Sequence, residues 1–339
     1  MKFKQFLAVL AATVLFAVTG YVGVQSASSF NAAAMNSVES VSGLADFFSS
    51  EVSFEFPSAP FLAELDIVGD IAPSGSAASP YAAVPANAYD HTLYMNLVDA
   101  LIDDPDNRGI LLYVNSPGGT VYESDELYLK LMEYRAATER PIYAYFTSEA
   151  CSGGYYISMA ANEIYANRNA WTGSIGVIMS LMNFQGLSEK IGVTAVDITA
   201  GRNKAMGSAW ETLTDEQRDI LQSLVDESYE QFVGIVAAGR NLDPGRVREL
   251  ADGRIYSAQQ ALDRGLIDHI AGEEEAFDAI LEKCGLAPDA EIYLPDRAAV
   301  FNVMDFLWSR VNLARPKSEL ELFRDMVSDY RNGAILYHA

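Results

Sequence analysis

The chain has 339 residues, half of them apolar, which is enough to bury the core of one large or two modest domains. Its formal net charge is −23, and it lacks the clustered Lys and Arg side chains that bind phosphate groups, so nucleic acid is excluded as a partner. The two cysteines, Cys151 and Cys284, form neither a disulfide framework nor the Cys/His spacing of a metal site. We therefore expect no metal and no cofactor.

The N-terminus carries a membrane-targeting pattern. Lys2 and Lys4 precede an uncharged, mostly apolar run from Phe6 to Val24. As a helix this run would span roughly 28 Å, which is close to the hydrocarbon core of a bilayer. The flanking lysines favour an N-terminus inside the cell, with the rest of the chain on the extracytoplasmic side. A cleaved signal peptide that ends near Ala27 is the alternative.

We expect four regions along the chain: a membrane anchor over 1–27, a stalk over 28–60, a folded domain over 61–285 and a C-terminal extension over 286–339. In the folded domain, apolar strand-like segments alternate with helical ones, which predicts an α/β layered core. Capping boxes at Thr214 and Ser257 predict two helix starts. The extension contains an amphipathic helical segment, Glu319–Tyr330, before an apolar tail. The predicted strands are Leu65–Gly69, Ile110–Val114, Ile142–Phe146, Ile175–Met179 and Val193–Ile198, and the predicted helices between them are Thr92–Asp103, Glu123–Tyr134, Gly154–Ala161 and Asn183–Ile191.

A serine stands at a predicted strand-to-helix turn, in the sequence Glu149-Ala150-Cys151-Ser152-Gly153-Gly154. A serine hydroxyl is a weak nucleophile until a neutral base removes its proton. The simpler alternative is that Ser152 only caps the helix that follows. Cys151 is the competing nucleophile, but we expect it to be a small buried residue that packs under the turn.

The base that Ser152 needs is predicted to be Lys204. The chain has three histidines, His91, His269 and His338, and each lies where a structural role is expected, although sequence order alone does not exclude a Ser-His-Asp triad. A lysine can serve as base only if burial among apolar groups lowers its pKa from about 10.4 towards neutrality. The apolar residues near Lys204 favour this role, and the alternative is a lysine exposed on a loop.

Two glycine turns supply candidate donors for an oxyanion hole. The sequence Asn115-Ser116-Pro117-Gly118-Gly119 follows an apolar strand, and its glycines can present backbone N–H groups without a Cβ in the way. The Gly153 N–H, at the start of a helix, would point into the same space. Such donors stabilise negative charge on the carbonyl oxygen during acyl transfer. A third turn, Trp171–Val177, contains Ser174, whose hydroxyl could hold the lysine amine; the alternative is an ordinary turn serine.

Taken together, these segments resemble the signal peptide peptidase A family, peptidase family S49. The resemblance extends from about Leu65 to Ile270 and implies the fold of the Clp protease and crotonase superfamily, with a core of repeated ββα units. It implies a serine endopeptidase with a Ser/Lys dyad, carried here by Ser152 and Lys204. Gly119 and Gly153 are the implied oxyanion donors, and Ser174 is implied to lie near the lysine. The matching segments are Asn115–Gly119, Ala150–Ile157, Thr172–Val177, Gly201–Ser208 and Gly253–Asp268.

The family also implies a membrane-anchored ring of identical chains, in which one protomer supplies the serine and its neighbour the lysine. Its implied substrates are apolar peptides such as cleaved signal peptides. The chain departs from the family pattern after the lysine, where Ala209 replaces a frequent proline and Glu211 stands near a usual basic residue. Residues 72–88 and those after about 280 fall outside the match, so the substrate preference stays open.

Other functions are compatible with this pattern. A capsid-maturation protease of the same family would normally lack the Phe6–Val24 segment, and a catalytically silent membrane scaffold would not need both Ser152 and Lys204. An acyl-CoA enzyme of the crotonase type would leave the Ser/Lys pair and the anchor unexplained. For the apolar tail, Ala334–Ala339, we expect a place in or near the substrate groove.

Overall fold

The computed structural model describes residues 54–74, 89–295 and 336–338 of the chain. The predicted membrane anchor, the stalk as far as residue 53 and the amphipathic segment Glu319–Tyr330 lie outside these residues. Within them, no helix is both long and apolar enough to cross a bilayer.

An eight-stranded sheet forms the centre of the described structure. Neighbouring strands run parallel, except for one antiparallel pair at an edge. The central strands are nearly continuous apolar runs, which is typical of parallel strands that are covered on both faces. In spatial order the strands are β7 (Ile255–Ser257), β6 (Trp171–Gly173), β4 (Ile142–Cys151), β2 (Asn107–Ser116), β1 (Phe61–Val68) and β9 (Ile292–Tyr293); β5 (Glu163–Ala166) pairs with β4, and β8 (His269–Ile270) pairs with β5.

A second, two-stranded antiparallel sheet lies beside the first. It consists of β3 (Gly118–Thr120), which follows β2 directly, and β10 (Leu336–His338) near the C-terminus. Strand β10 pairs with one edge of β3, and Ile71 forms a parallel bridge with Gly119 on the other edge. Two segments that are distant in sequence from β3 therefore flank it.

The helices of the described residues cover the sheet, and two of them begin where capping boxes predict. At Thr214 and Ser257 the reciprocal hydrogen bonds of the capping box are both present. The helices are α1 (His91–Asp103), α2 (Val121–Thr138), α3 (Gly153–Ser158), α4 (Gln185–Ile191), α5 (Asp215–Arg240), α6 (Pro244–Leu250), α7 (Ala258–Leu262) and α8 (Glu273–Lys283).

The core consists of one apolar cluster on each face of the sheet, because successive side chains of a strand point to opposite faces. On one face Phe61 and Leu65 of β1 belong to the larger cluster, which includes buried residues of α1, α2, α3 and α5. On the other face Leu62 of β1 packs with α8 residues such as Ile280. The predicted α/β layered core is confirmed.

Two predicted strands are wrong. The segment Val193–Ile198 has no regular secondary structure, and its side chains are exposed, with Val196 at 78% and Ile198 at 97%. Its apolar residues indicated a strand, but within the described chain no neighbouring strand pairs with it. The segment Ile175–Met179 is not a strand either. The strand of this region is β6, which lies just before it in the sequence. Strand β5 was not predicted, because four residues carry too short a pattern.

The central strands end side by side at the position that matters for the site. In the register of β2 and β4, Ser116 lies opposite Ala150. The glycine turn that follows Ser116 and the serine turn that follows Ala150 therefore start at the same edge of the sheet.

Candidate active site

Ser152 occupies a sharp turn between β4 and α3. Its backbone dihedrals are φ 51° and ψ −114°, which lie outside the regions that an L-residue normally adopts. The backbone N–H of Ser152 donates a 2.8 Å hydrogen bond to the carbonyl of Gly173, which holds the turn against β6. A strained serine between a strand and a helix is the arrangement that presents a nucleophile in serine hydrolases.

The Ser152 hydroxyl is buried, and its oxygen has no hydrogen-bond partner among the described residues. Nearly all buried polar groups in proteins are paired, so a lone unpaired one calls for an explanation. No side-chain capping bond from Ser152 to α3 is present, which excludes the simple capping role. An unpaired buried hydroxyl on a strained turn is therefore a candidate nucleophile.

Gly119 stands at the centre of β3, in close contact with Ile71. The carbonyl of Gly118 accepts a 2.8 Å bond from the Ile71 N–H, and the Thr120 N–H donates a 2.8 Å bond to the Ile71 carbonyl. Since backbone groups of alternate residues face opposite edges of a strand, the N–H and C=O of Gly119 point away from Ile71. A Cβ at this position would overlap the Ile71 backbone, so only glycine fits.

The two predicted oxyanion donors lie next to each other. A Cβ placed on Gly153 would lie 3.2 Å from the backbone nitrogen of Gly119 and 2.5 Å from Ser124 Oγ. Gly153 is the residue after the serine, so its N–H belongs to the same turn as the hydroxyl. The structure therefore brings Ser152, Gly119 and Gly153 together, as the sequence predicts. An anion beside Ser152, Gly119 and Gly153 would also lie at the beginning of α3.

Ser174 lies on the turn next to Ser152. It follows Gly173, has a positive φ of 49° and is 5% exposed, and its backbone N–H donates a 2.8 Å bond to the carbonyl of Arg254. The prediction put Ser174 near Lys204; the structure places Ser174 beside the serine turn, and its role as the partner of the lysine stays a prediction.

Lys204 does not meet Ser152 within one chain. Its side chain is exposed, and its amine makes no hydrogen bond or ion pair with any described residue. The adjacent Arg202 and Asn203 contact Glu216 in the first turn of α5. The predicted burial of the lysine amine among apolar groups is therefore not supplied by the chain itself.

The length of α5 separates the lysine from the serine. Phe232 of α5 packs against Tyr156 of α3, with their ring centroids 4.9 Å apart, so this part of the helix adjoins the serine turn. Glu216 lies about 24 Å further along the helix axis, at 1.5 Å per residue. The segment 192–214, which we call the arm, contacts this distant end of the helix through Arg202 and Asn203.

Cys151, His91 and His269 do not compete for the catalytic role. Burial, reinforced by the Glu149 carboxylate, raises the pKa of the Cys151 thiol to about 12, so the reactive thiolate is suppressed. His91 is paired through its two ring nitrogens with the Tyr89 hydroxyl and the Glu126 carboxylate, at 2.5 and 2.8 Å. His269 Nε2 lies 2.9 Å from a carboxylate oxygen of Glu163, on the sheet far from β3. The third histidine, His338, lies in β10.

No cluster of three or more His, Cys, Asp or Glu residues that could hold a metal ion occurs in the described parts of the chain. Sequence reasoning missed Ile71, which carries no motif and is revealed only by its bridge with Gly119. The apolar tail Ala334–Ala339 was expected in or near the substrate groove, and its described residues form β10 beside β3.

Comparison with known proteins agrees with this geometry. The profile of peptidase family S49 matches residues 135–286, which include the serine turn and the arm. A protein of Synechocystis sp. that is named as a protease is 43% identical over 188 residues, which cover 56% of this chain and 67% of that protein. The chain belongs to peptidase family S49. It is therefore a serine peptidase.

Two further relatives come from other organisms. A protein of Enterococcus faecium named as a signal peptide peptidase SppA is 42% identical over 192 residues, which cover 57% of this chain and 56% of that protein. A protein of Methanocaldococcus jannaschii named as a protease is 39% identical over 193 residues, which cover 57% of this chain and 61% of that protein. The S49 chain thus matches little more than half the length of the Enterococcus relative.

Proposed function

We propose that this S49 chain is a serine endopeptidase with a Ser/Lys dyad. Ser152 is the nucleophile, Lys204 is the general base, and the backbone N–H groups of Gly119 and Gly153 form the oxyanion hole. The observation that carries the proposal is the strained turn at Ser152, whose unpaired hydroxyl lies beside the two glycines. Ser174 is assigned the role of holding the lysine amine.

The chemistry follows from these groups. The neutral amine of Lys204 removes the proton from Ser152 Oγ as the oxygen attacks the peptide carbonyl carbon. Negative charge then develops on the carbonyl oxygen, where each backbone donor is worth about 2.7–4 kcal/mol of barrier lowering. The C–N bond breaks, the leaving amine takes the proton from the lysine, and an acyl-enzyme remains. Water hydrolyses this ester with the same amine as base.

The dyad is proposed to form between two copies of the chain. Support comes from the separation within one chain, where Lys204 is exposed at the far end of α5 from the serine turn. The arm also exposes apolar side chains, with Ile198 at 97% and Val196 at 78%, which a neighbouring copy would bury. Burial at such an interface would supply the desolvation that a neutral lysine requires.

A contact in which the arm of one copy reaches the serine turn of the next is heterologous, and repeated contacts of this kind form a ring when the rotation from copy to copy closes. We therefore propose a homo-oligomeric ring with one site per interface. Nucleic acid has no place in this assembly, since the net charge of −23 repels phosphate.

The proposed substrates are apolar peptides, such as the signal peptides left in a membrane after cleavage. The apolar N-terminal run Phe6–Val24 supports this proposal, because a single-pass anchor in the cell membrane would keep the catalytic domain next to the bilayer. The lysines before the run favour an extracytoplasmic catalytic domain. The name of the Enterococcus relative, a signal peptide peptidase, points to the same substrates.

The decisive experiment mixes two inactive variants. Ser152→Ala and Lys204→Ala protomers are combined under conditions of proven subunit exchange, and hydrolysis of a short apolar peptide is measured. Random mixing in equal amounts should complete about a quarter of the interfaces in a heterologous ring. The matched control mixes Ser152→Ala with the double variant Ser152→Ala/Lys204→Ala and should stay inactive. A mixture of the single variants that remains inactive despite exchange places the dyad within one chain.

The alternative function is a catalytically silent membrane scaffold of the same fold, or a capsid-maturation protease of the same family. A scaffold is supported only by the incomplete site of the single chain. It predicts that the parent protein never reacts with a fluorophosphonate. A capsid protease is disfavoured by the N-terminal apolar run.

A further inference from the structure

Ser116 lies in the first glycine turn, and the proposed chemistry assigns it no role. It ends β2, and its side chain is fully buried. Its Oγ donates a 2.6 Å hydrogen bond to the carbonyl of Gly69 and accepts a 3.1 Å bond from the backbone N–H of Gly118. The Gly118 carbonyl is a second acceptor, 3.4 Å from the same oxygen. The hydroxyl therefore joins the segment after β1 to the strand that carries Gly119.

These hydrogen bonds close a circuit beside β3. Ile71 lies two residues after Gly69, its N–H donates a 2.8 Å bond to the Gly118 carbonyl, and its side chain is buried in the larger core cluster. The Gly69 N–H donates a 2.9 Å bond to the Asn115 carbonyl, which holds the same segment to the end of β2. Ser116 supplies a side-chain group to this circuit. A mutation there can open the circuit and leave the backbone bonds in place.

Ser116 also contacts the helix that begins after the proposed nucleophile. A Cβ placed on Gly154 would lie 3.1 Å from the Ser116 carbonyl oxygen and 3.3 Å from the Ser116 Cβ. The backbones of β2 and α3 therefore meet closely at this point. Gly154 follows Gly153, the second proposed oxyanion donor, in α3. Ser116 is thus bonded to the neighbour of one donor, Gly119, and packs against the neighbour of the other.

We infer that Ser116 is a positioning residue that sets the spacing of the two oxyanion donors, Gly119 and Gly153. This inference rests on the proposed function, because it takes both backbone N–H groups as donors to the carbonyl oxygen of the substrate. Such donors act only when they lie about 2.7–3.1 Å from the developing charge. The two donors follow different strands, β2 and β4, so chain connectivity alone does not fix their separation. The contacts of Ser116 with both neighbours fix it.

The loss of the hydroxyl should act on the transition state. In Ser116→Ala the Gly118 N–H and the Gly69 carbonyl lose a buried partner, which is unfavourable, so β3 relaxes and the Gly119 N–H moves with it. Oxyanion donors bind the transition state more strongly than the substrate, so kcat falls and KM stays unchanged. We expect kcat to fall at least about ten-fold, which is less than the roughly 10²–10³-fold cost of deleting a whole donor.

The test compares Ser116→Ala with Ser158→Ala in the full-length protein. Ser158 is the matched control, because its hydroxyl is also buried and donates a 2.7 Å bond to the Gly154 carbonyl. Hydrolysis of a short apolar peptide and the rate of fluorophosphonate labelling are measured well below the unfolding temperature of each variant. Ser116→Ala should lower kcat and the labelling rate together at constant KM, because the phosphonyl oxygen also accepts from the oxyanion donors. Ser158→Ala should keep all three values.

A purely structural role for Ser116 predicts that folded Ser116→Ala is less stable but has the kcat of the parent, and that result overturns the inference. A second pair of variants applies if Ser116→Ala does not fold. Ser116→Thr and Ser116→Val have nearly the same shape, so any cost of the additional methyl group is common to both, and they differ in the hydroxyl. The threonine variant should have at least about ten-fold the kcat of the valine variant. Equal kcat values reject the role of the hydroxyl.

Hydrogen exchange needs no change at Ser116. In Ser152→Ala, the Gly118 amide should exchange its hydrogen slowly, as expected for a buried N–H with a hydrogen-bond partner. Exchange as fast as that of an exposed amide would show that the bond to Ser116 is absent and would overturn the inference without any activity assay.

The inference and the proposed function fail in different ways. If Ser152→Ala still hydrolyses the peptide, the proposed function fails first. If Ser152→Ala is inactive and Ser116→Ala keeps the kcat, KM and labelling rate of the parent, only the role of Ser116 is rejected.

Discussion

The carbonyl of Gly173 accepts a 2.8 Å hydrogen bond from the backbone N–H of Ser152, while the hydroxyl of Ser152 bonds to no described residue. The backbone of neighbouring strands therefore fixes the serine turn, and the Ser152 hydroxyl makes no hydrogen bond that would help to hold it. A substitution of Ser152 can therefore remove the hydroxyl and leave the turn in place.

Ser152→Ala should abolish peptide hydrolysis and fluorophosphonate labelling and, because it removes a buried hydroxyl that has no hydrogen-bond partner among the described residues, should raise the free energy of unfolding by up to about 1–3 kcal/mol. Ser158→Ala is the matched control, because the Ser158 hydroxyl donates a 2.7 Å bond to the Gly154 carbonyl in the same helix. It should cost about 1 kcal/mol of stability and keep activity. Activity assays and urea titrations test both variants. Turnover that persists in Ser152→Ala rules out the dyad.

Lys204→Arg should be inactive, because a guanidinium stays protonated and cannot act as base. Lys190→Arg changes another exposed lysine, on α4, and should keep activity. In the parent, kcat/KM should rise with pH through one ionisation and stay high on the alkaline side, since only the deprotonated amine is competent. The pH profile of peptide hydrolysis is the measurement. A profile that falls again at alkaline pH, or an active arginine variant, assigns the base to another group.

Gly119→Ala should reduce both stability and activity. Its Cβ would overlap the Ile71 backbone, so β3 must shift, at a cost of about 1–3 kcal/mol. The shift would misplace a proposed oxyanion donor and lower kcat about 10²-fold or more. Gly186→Ala is the control: no atom lies within 4 Å of its Cβ position, and helix α4 should gain up to about 1 kcal/mol. Normal activity in Gly119→Ala would exclude Gly119 as a donor.

Glu64 predicts an unusual dependence of stability on pH. Burial, reinforced by Asp66 and Glu273, raises the pKa of the Glu64 carboxyl from 4.5 to about 8. A carboxyl whose pKa is raised in the folded state stabilises the fold below its unfolded pKa, and this contribution is lost as pH rises through the folded value. The free energy of unfolding should therefore fall by up to a few kcal/mol between about pH 4.5 and 8.

Glu64→Gln should remove this decline, and denaturant titrations at several pH values measure it. Glu282→Gln deletes an exposed carboxylate on α8 and serves as the control for net charge. An unchanged slope in Glu64→Gln would show that another group causes the decline.

Local signals in the sequence predicted much of the fold. The capping boxes at Thr214 and Ser257 form as expected, because their hydrogen bonds involve residues only three positions apart. The apolar runs of β1, β2 and β4 indicated buried strands for the same reason, since burial on both faces needs no knowledge of the neighbours. The serine turn was placed correctly between β4 and α3.

Features that depend on distant partners were not predictable. The segment Val193–Ile198 was predicted as a strand and is not one, because a strand needs a neighbouring strand to pair with and the described chain offers none. The contact of β3 with Ile71 joins positions far apart in sequence, and no motif marks Ile71 as the partner. The placement of Lys204 at the remote end of α5 also depends on tertiary structure; the sequence predicted instead that its amine would be buried among apolar groups.

At Ser152, the backbone conformation that would present the proposed nucleophile also destabilises the fold. Its φ of 51° and ψ of −114° suit glycine better than any L-residue, and such a conformation costs about 1–3 kcal/mol for serine. Ser152→Gly should therefore produce a chain that is more stable than the natural one and has no nucleophile, which thermal unfolding and fluorophosphonate labelling would reveal together. In a lineage released from the need for peptidase activity, selection for stability alone would drive this residue to glycine first.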